Sequence, residues 1–403
     1  MDISERRILV FTSIGHFFTH FSMLLFPPLA TTIALDLGLP LNQVFSISFL
    51  MYLLYGLGAV PWGFLADQWN PRLVMAMGIV LAGIGLISAG LVHNSALLPF
   101  ALAFVGLGNA AYHPSGLSLL SKGLRSRGKG MGVNGVFGNV GIALAPLTAG
   151  LLGWYTGWRT AFVVFGVLGV IGGIVIIVIP FSVPRLKDRQ QGQSVGGSEA
   201  VTLFLILCLA VIGSGLMYRT FTLVLPSWLE QHLSAEFGRI SELFSSAHLN
   251  NSLIAALVTS SAMVVGMAGQ LVGGRVADKM DLRKAYLLFF SLALPFLIAS
   301  RFVSGWFVLP FLGFFVFFAL GMQPIENSLY SMLVPPRWRS SGFGVKFTLT
   351  FGVGSFAVSI VSRLEPKIGL DGILLLTAGY LMFTVFITGL LLIVSRNAII
   401  KHT

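Results

Sequence analysis

Charged side chains are scarce in this sequence. Asp, Glu, Lys and Arg together make up 10% of the 403 residues, whereas hydrophobic residues make up 56% and the mean hydropathy is +0.89. Soluble domains carry about 25% charged residues. The composition therefore excludes an ordinary soluble domain and predicts an all-α integral membrane protein.

Other signatures are missing as well. The single cysteine, Cys208, lies in an apolar run, which excludes a disulfide framework and a thiolate metal cluster. The chain has no G-x4-G-K-[ST] loop, so ATP is not expected to drive it directly. The net charge of +11 is spread over short loops and forms no basic patch, which argues against a nucleic-acid partner. We expect no cofactor and no metal.

Long apolar runs fill most of the chain. A helix needs about 20 apolar residues to cross a bilayer, and twelve runs meet that length: 8–34, 43–66, 73–91, 95–120, 131–152, 159–180, 200–229, 250–276, 284–302, 306–333, 342–363 and 370–395. The polar stretch 181–199 separates the sixth run from the seventh. The sequence thus predicts a six-helix bundle at 1–180, a linker at 181–199 and a second six-helix bundle at 200–403.

A short pattern, G-x3-D-x4-R, occurs once in each predicted bundle. It places Gly63, Asp67 and Arg72 between the second and third runs, and it returns 211 residues later. The second copy consists of Gly274, Asp278 and Arg283. Two copies at equivalent positions indicate two related halves. We interpret these loops as a conformational latch between the halves; the alternative is that they stop helices and anchor at lipid headgroups.

Basic residues are unequally divided between the two ends of the predicted helices. One side carries 18 Lys and Arg residues and the other carries 5, with Arg219 and Lys346 left inside the runs. The positive-inside rule then places both termini, the linker and both repeated loops in the cytoplasm of a cell inner membrane. Residues 230–250 form the longest loop on the opposite side, and we expect it to be solvated or to lie on the surface.

Twelve spans in two sets of six, a basic linker and the repeated loops resemble the major facilitator superfamily over the whole chain. The first loop departs from the family pattern, since Asn70 replaces a usual glycine and Gln68 a common basic residue. The fifth run resembles the family's antiporter motif, with two glycines replaced by alanine. The residues that match are Gly132, Gly141, Pro146 and Gly150.

A narrower resemblance links the chain to fosmidomycin-resistance-type exporters. It rests on Gly15-His16 in the first run and on the stretch 107–114, which ends in Tyr-His-Pro. Ser115 and Gly116 follow where an acidic residue is expected. Together with the antiporter-like motif, this resemblance implies export of a drug or metabolite. The alternative is an importer or facilitator of a small organic anion.

Ionisable residues within the apolar runs are few, and their burial in a membrane is costly unless they are paired or face water. They are His16, His20, His113, Arg219, Glu326 and Lys346. The family resemblance implies that runs 1, 4, 7 and 10 line a central cavity, and all but Lys346 lie in those runs. Structural alternatives remain: histidines that only bond neighbouring helices, an Arg219–Glu326 ion pair, and a Lys346 side chain that reaches the headgroups.

These residues predict a secondary transporter that alternates access around a cavity. We expect Glu326, with a histidine, to carry a coupling proton, because carboxyl and imidazole groups can titrate near physiological pH when perturbed. Arg219 and Lys346 are expected to attract an anionic or amphiphilic small molecule. We expect a monomer in the lipid bilayer. An intramembrane enzyme or a membrane scaffold are the alternatives from other classes.

Overall fold

The computed structural model describes residues 3–124, 127–179, 198–244, 249–333 and 344–395. We refer to the part up to 179 as the N-terminal half and the part from 198 as the C-terminal half. The N-terminal half contains the α-helices Ile3–Met23, Ala30–Leu37, Leu41–Ile47, Phe49–Leu57, Ala59–Gln68, Pro71–Leu91, Leu98–Asn109, Tyr112–Gly123, Arg127–Thr156 and Trp158–Val178. The C-terminal half contains Ser198–His232, Ser234–Leu243, Asn251–Ala277, Leu282–Ser300, Val308–Leu333 and Phe356–Val394.

Eleven helical stretches in the described residues are long and apolar enough to cross a membrane. In chain order we call the first ten spans 1 to 10: Ile3–Leu37, Leu41–Gln68, Pro71–Leu91, Ser95–Leu120, Gly130–Thr156, Trp158–Val178, Val201–His232, Asn251–Ala277, Leu282–Ser300 and Gly305–Tyr330. The last stretch, Gly344–Val394, has 51 residues, which is more than twice the length of one crossing.

Gly369 divides that last stretch in two. Its φ of 66° lies in the left-handed region, which breaks the helical path and which a side chain other than glycine rarely adopts. We call the parts before and after Gly369 span 11 and span 12. The predicted set of twelve spans in an all-α membrane protein is therefore confirmed, with boundaries that agree to within a few residues.

The outer surface of the helices is apolar. Large hydrophobic side chains such as Phe64, Leu168, Phe314 and Phe386 are more than half exposed. An exposed apolar surface of this extent marks contact with a membrane. The chain is thus a multi-pass membrane protein.

Two predicted segments lie between the halves or outside the spans. The linker at 181–199 falls outside the described residues except for its last two residues, which begin the helix Ser198–His232. The predicted surface segment after span 7 contains the helix Ser234–Leu243, which buries Phe237 and exposes most of its other side chains. This helix is amphipathic, as expected for a segment that lies on a surface.

The halves pack closely along two pairs of helices. Spans 2 and 11 meet at Gly56 and Gly352, where a Cβ atom on Gly56 would overlap the backbone of Gly352. Spans 5 and 8 meet at Gly150, where a Cβ atom would overlap the side chain of Ala256. Glycine permits this approach because it has no side chain. These contacts set the distance between the halves around the buried ionisable residues.

Candidate functional site

Breaks in the helices place polar groups inside the protein. Span 1 is interrupted after Met23, where a 3-10 turn begins at Pro27, and span 4 is interrupted between Asn109 and Tyr112. Span 11 contains a π-helical turn over Thr348–Gly352. Irregular backbone of this kind is tolerated at membrane depth where protein or a cavity surrounds it. Among the predicted site residues, His20, His113 and Lys346 lie close to these breaks along the chain.

The three histidines lie together within the N-terminal half. One ring nitrogen from each of His16, His20 and His113 is within 4.8 Å of the others. His16 and His20 are four residues apart and share one face of span 1, and their Nε2 atoms are 3.1 Å apart. His113 extends from span 4 against both of them. The sequence predicted the pair, and the fold adds the third ring.

Hydrogen bonds define which nitrogen of His16 carries a proton. His16 Nδ1 lies 2.8 Å from the backbone oxygen of Asn134 in span 5, and a carbonyl oxygen can only accept. His16 Nδ1 is therefore protonated and donates. The ring of His16 also stacks on Tyr112, whose hydroxyl donates to Asn134 Oδ1 over 3.0 Å. Span 5 thus fixes the orientation of His16.

His113 joins the two halves. Its Nε2 atom lies 3.1 Å from the hydroxyl of Tyr55 in span 2, and its ring stacks on Phe347 of span 11. Tyr55 in turn packs on Phe351, one turn further along span 11. A movement of span 11 away from span 4 would therefore expose the histidine cluster.

Arg219 is buried but has no carboxylate partner in the described part of the chain. Its side chain in span 7 is 3% exposed, and its guanidinium carbon lies 3.5 Å from the ring centre of Tyr52 in span 2. The Nε atom makes no hydrogen bond with any described residue. None of the described ion pairs includes Arg219. A buried cation with an unpaired Nε donor is suited to bind an anion.

Glu326 pairs with Lys346 and not with Arg219, which corrects the ion pair considered from the sequence. Lys346 Nζ lies 2.8 Å from Glu326 Oε1, and the two residues are 5% and 3% exposed. Lys346 also donates to Asn327 Oδ1. The alternative that Lys346 extends to the headgroups is therefore wrong for this conformation, because its ammonium group is bound within the protein.

The rotation of span 7 explains why Arg219 is not the partner. Ser214, on the same helix, donates to Glu326 Oε2 over 3.4 Å, so its face is the one directed at Glu326. Five residues along an α-helix correspond to a turn of about 140°. Arg219 consequently points to span 2 of the other half.

Sequence reasoning missed several partners of the predicted residues. Tyr286 in span 9 donates to Glu326 Oε2 over 2.5 Å, and neither Tyr52, Tyr55 nor Asn134 was predicted as a partner of a charged or histidine side chain. Tyrosine and asparagine also occur in spans as packing residues, and no short spacing connects these four positions to the site. The signal that could have found them is that each can donate or accept a hydrogen bond in an apolar run.

A second polar connection crosses the halves. Asn139 of span 5 donates to Gln270 of span 8, and Gln270 donates to Gln323 of span 10 over 2.7 Å. Gln323 precedes Glu326 by three residues, which places both on the same side of span 10. This chain of amides links the N-terminal half to the helix that carries the buried carboxylate.

The two repeated loops have matching local structures. Asn70 and Asp281 are 211 residues apart and each caps the helix that follows, accepting from the backbone N–H of Arg72 and Arg283 over 3.0 and 2.9 Å. Arg72 donates to the carbonyls of Ile176 and Ile177, and Arg283 donates to the carbonyl of Ser395. Each arginine thus binds the end of the last span in its own half.

The acids of the loops are placed differently from these arginines. Asp67 and Asp278 are exposed, as is Phe64, which follows Gly63. Gly274 is half-buried, and a Cβ atom added to it would have no atom of the described residues within 4 Å. In this conformation the arginines join helices within a half. The latch between the halves stays a prediction, and it concerns contacts that the loops would make in another conformation.

The antiporter-like residues divide into packing positions and an open position. A Cβ atom on Gly141 would overlap the backbone of Phe17, and one on Gly150 would overlap Ala256. Gly132 has no atom of the described residues within 4 Å of such a position. Pro146 lies inside the helix Arg127–Thr156. Two of the three glycines therefore allow close helix contacts.

Comparison with known proteins identifies what the chain resembles. The sequence model of the family described as Major Facilitator Superfamily matches residues 12–359. The structure of a bacterial homologue of the human lysosomal transporter Spinster, inward-facing and occupied, superposes with a TM-score of 0.74 over 98% of both chains. At 16% sequence identity, that likeness shows the fold alone.

Curated relatives match over shorter segments. A probable hexose phosphate transport protein of Chlamydia trachomatis is 31% identical over 191 residues, which is 46% of this chain and 40% of that protein. A probable L-galactonate transporter of Escherichia coli is 28% identical over 141 residues, which is 34% of this chain and 31% of that protein. The matched segments thus span less than half the length of these relatives.

Proposed function

Because this chain belongs to the major facilitator superfamily, we propose that it moves a small organic anion across the membrane with a proton as the coupling ion. The family and the relatives are transporters rather than enzymes. The observation that carries the proposal is the pair of buried charged sites in spans 7, 10 and 11, one of which has no counter-ion among the described residues. The proposed site residues are Arg219, Glu326 and Lys346, with His16, His20 and His113 lining the same interior.

Arg219 is the proposed anion contact. A guanidinium offers five N–H donors in a planar arrangement that matches a carboxylate or a phosphate. Contact with the Tyr52 ring holds the guanidinium in place, and its Nε atom makes no hydrogen bond with the described residues. The names of two relatives, which refer to hexose phosphate and L-galactonate, support an anionic substrate class.

Glu326 is the proposed carrier of the coupling proton. Its carboxylate is bound by the buried side chains of Lys346 and Tyr286. Removal of the charge on Glu326 leaves the charge on Lys346 uncompensated, and the reverse also holds. Protonation of Glu326 would release Lys346 and free span 11 to move relative to span 10. Since span 11 also packs on His113 and Tyr55 of the N-terminal half, this release would favour separation of the halves on one side.

The remaining predictions on organisation belong to this proposal. Two bundles at 1–180 and 200–403, joined by the linker 181–199, would rock about the contacts between spans 2 and 11 and between spans 5 and 8. Both termini and the repeated loops would lie in the cytoplasm of a cell inner membrane, and the unit would be a monomer. The loops with Asp67 and Asp278 would latch the halves in the conformation that closes toward the cytoplasm.

Direction is the second part of the proposal. The resemblance of Gly132, Gly141, Pro146 and Gly150 to the antiporter motif favours proton-coupled export. The other candidate is import of a small organic anion. The relatives' names refer to anionic substrates, and that charge fits import and export equally well. Uptake by inside-out and right-side-out vesicles separates the two, because export gives accumulation in the inside-out vesicles only.

The experiment begins with a thermal-shift screen of the purified protein against glucose 6-phosphate, L-galactonate, inorganic phosphate and nitrate. A ligand that binds the folded state raises its unfolding temperature. The anion with the largest shift is then followed in proteoliposomes under imposed pH gradients. We expect a pH gradient to drive accumulation by the wild type, and Glu326→Gln to retain exchange of the anion but to lose its response to the gradient.

Ser328→Ala is a matched control on the same helix, since Ser328 bonds to the Pro324 carbonyl of span 10. It should respond to the gradient like the wild type. Accumulation that is unchanged in Glu326→Gln would remove Glu326 as the proton carrier. Absence of any thermal shift with all four anions would contradict the anionic substrate class among these chemistries.

A further inference from the structure

The three histidines have the composition of a transition-metal site, and we propose that His16, His20 and His113 bind one ion such as Zn²⁺ or Co²⁺. The proposal goes beyond anion transport and does not depend on it. Imidazole nitrogen is a preferred ligand of both metals, and three protein ligands with one open position form a common tetrahedral site.

The spacing of the nitrogens suits a single ion. With metal–nitrogen bonds of about 2.0–2.1 Å, tetrahedral ligands lie about 3.3 Å from one another. His16 Nε2 and His20 Nε2 are already 3.1 Å apart. The third nitrogen is within 4.8 Å of both, so a displacement of that nitrogen by about 1–2 Å completes the set.

The protonation of His16 matches that of a metal ligand. Its Nδ1 donates to the carbonyl of Asn134, so the neutral ring directs the lone pair of Nε2 at His20 Nε2, which donates to it in this structure. A bound metal ion would take the place of that proton, and His20 would carry its proton on Nδ1 instead. A metal-binding histidine almost always donates its other nitrogen to a carbonyl or carboxylate in this way. The backbone of span 5 therefore accepts the hydrogen bond that orients His16, a contact that the sequence did not reveal.

His113 has an equivalent support. Its Nε2 lies 3.1 Å from the hydroxyl of Tyr55, which accepts when Nε2 carries the proton. In that tautomer Nδ1 holds the lone pair. Two of the three rings are thus oriented by groups outside the cluster, one in span 5 and one in span 2.

Nearby charges determine what occupies the fourth position. Arg219 acts electrostatically on His20, and Lys346 acts on His113 although its charge is offset by Glu326. Arg219 therefore repels a bare divalent cation at His20. An anionic fourth ligand, such as hydroxide or chloride, would lie between the metal and the guanidinium and reduce this repulsion. We accordingly expect a metal bound together with an anion.

The test uses the full chain purified through a tag without histidine and stripped with a chelator. Co²⁺ is added as the probe, since its visible absorption reports tetrahedral nitrogen ligands. We expect one Co²⁺ per chain, displacement by Zn²⁺, and at least tenfold weaker binding in His20→Ala and His113→Ala. His93→Ala, which alters an exposed histidine outside the cluster, should bind like the wild type.

Two outcomes overturn the proposal. One is wild-type protein that takes up no Co²⁺ or Zn²⁺ at micromolar concentration, a result that is independent of whether the variants fold. The other is binding by His20→Ala/His113→Ala equal to that of the wild type, which would place the metal elsewhere. Glu326→Gln should bind the metal normally, so loss of proton coupling and loss of metal binding are distinguishable.

Discussion

Lys346 Nζ lies 2.8 Å from Glu326 Oε1, and this pair connects spans 10 and 11 in the interior of the C-terminal half. Tyr286 adds a hydrogen bond from span 9, so three helices converge on one carboxylate. The next residue after Lys346 is Phe347, which stacks on His113 of the other half. The consecutive residues Lys346 and Phe347 therefore connect the carboxylate of Glu326 with the contact between the halves.

The first prediction concerns the energy of this pair. Lys346→Met should destabilise the protein by about 3–5 kcal/mol, because it leaves the buried carboxylate of Glu326 without a counter-ion. Glu326→Gln should be destabilising for the same reason. The double variant Lys346→Met/Glu326→Gln should be more stable than Lys346→Met, since no unpaired charge remains. Unfolding in detergent, followed for all four proteins, gives the coupling energy.

The control for this cycle is the pair Arg301–Asp371, whose side chains are 35% and 42% exposed. Exposed ion pairs contribute about 0–1 kcal/mol, so Arg301→Met should change stability by far less than Lys346→Met. Equal effects of the two substitutions, or additive effects within the Lys346 and Glu326 cycle, would contradict the role assigned to burial.

The second prediction concerns the contact between spans 2 and 11. Gly56→Ala adds a Cβ atom that overlaps the backbone of Gly352, so the halves cannot approach as closely as in this structure. Overpacking of this kind costs about 1–3 kcal/mol. We expect Gly56→Ala to depopulate the present conformation and to slow transport.

A cross-link measures that change directly. Asn42 of span 2 donates to the carbonyl of Ser362 in span 11 over 3.3 Å, so Asn42→Cys and Ser362→Cys report the approach of these helices. In a Cys208→Ala background the cross-linking yield should fall in Gly56→Ala. Gly132→Ala is the matched control, because no atom in the described part of the chain lies within 4 Å of the added group, and its yield should not change. An undiminished yield in Gly56→Ala would show that the close approach is not required.

The twelve spans were predictable from the sequence, but the partners of the charged residues were not. Length and hydropathy alone mark a span. In the one stretch of the described residues that is long enough for two spans, Gly369 with its positive φ marks the boundary between them. Partner choice depends on helix rotation. Arg219 and Ser214 are on the same span, yet Ser214 contacts Glu326 and Arg219 contacts Tyr52. Nothing in the local pattern around Arg219 specifies how span 7 is turned.

The histidine cluster was half predictable for a similar reason. A spacing of four residues places His16 and His20 on one face whatever the rest of the fold does. His113 reaches them because spans 1 and 4 pack together, and the carbonyl of Asn134 bonds to His16 across 118 residues. Long-range contacts of this kind leave no trace in one sequence.

The third prediction concerns anion recognition. Arg219→Lys keeps the positive charge but replaces a planar guanidinium with a single ammonium, which cannot bind an oxyanion in a bidentate way or stack as well on Tyr52. We expect the affinity for the best anion in the thermal-shift screen to fall at least tenfold. Titration calorimetry with that anion measures the change.

Arg301→Lys serves as the control, since Arg301 is a partly exposed arginine paired with Asp371. Its anion affinity should equal that of the wild type. If Arg219→Lys binds as tightly as the wild type, the guanidinium is not the recognition group. In that case the charge of Arg219 alone would account for its presence in span 7.

The last prediction concerns the repeated loops and acid stability. Arg283, which donates to both carboxylate oxygens of Asp281, lowers the pKa of that carboxyl to about 2 from its usual 3.8. A carboxyl whose pKa is depressed in the folded state stabilises that state above its unfolded pKa, and this contribution is lost as the pH falls toward the folded value. Asp281→Asn should thus lower the unfolding temperature at pH 6, and the difference from the wild type should shrink between pH 4 and pH 2.

The first half of the chain supplies the control, because Asn70 already occupies the position equivalent to Asp281 and caps its helix without a charge. Asn70→Ser keeps an uncharged cap. The difference in unfolding temperature between this variant and the wild type should therefore be the same at pH 6 and at pH 2. A pH-independent effect of Asp281→Asn would indicate that the cap to the Arg283 backbone, and not the ion pair, carries the stabilisation. Such a result would assign the same mechanical role to both loops despite their different charges.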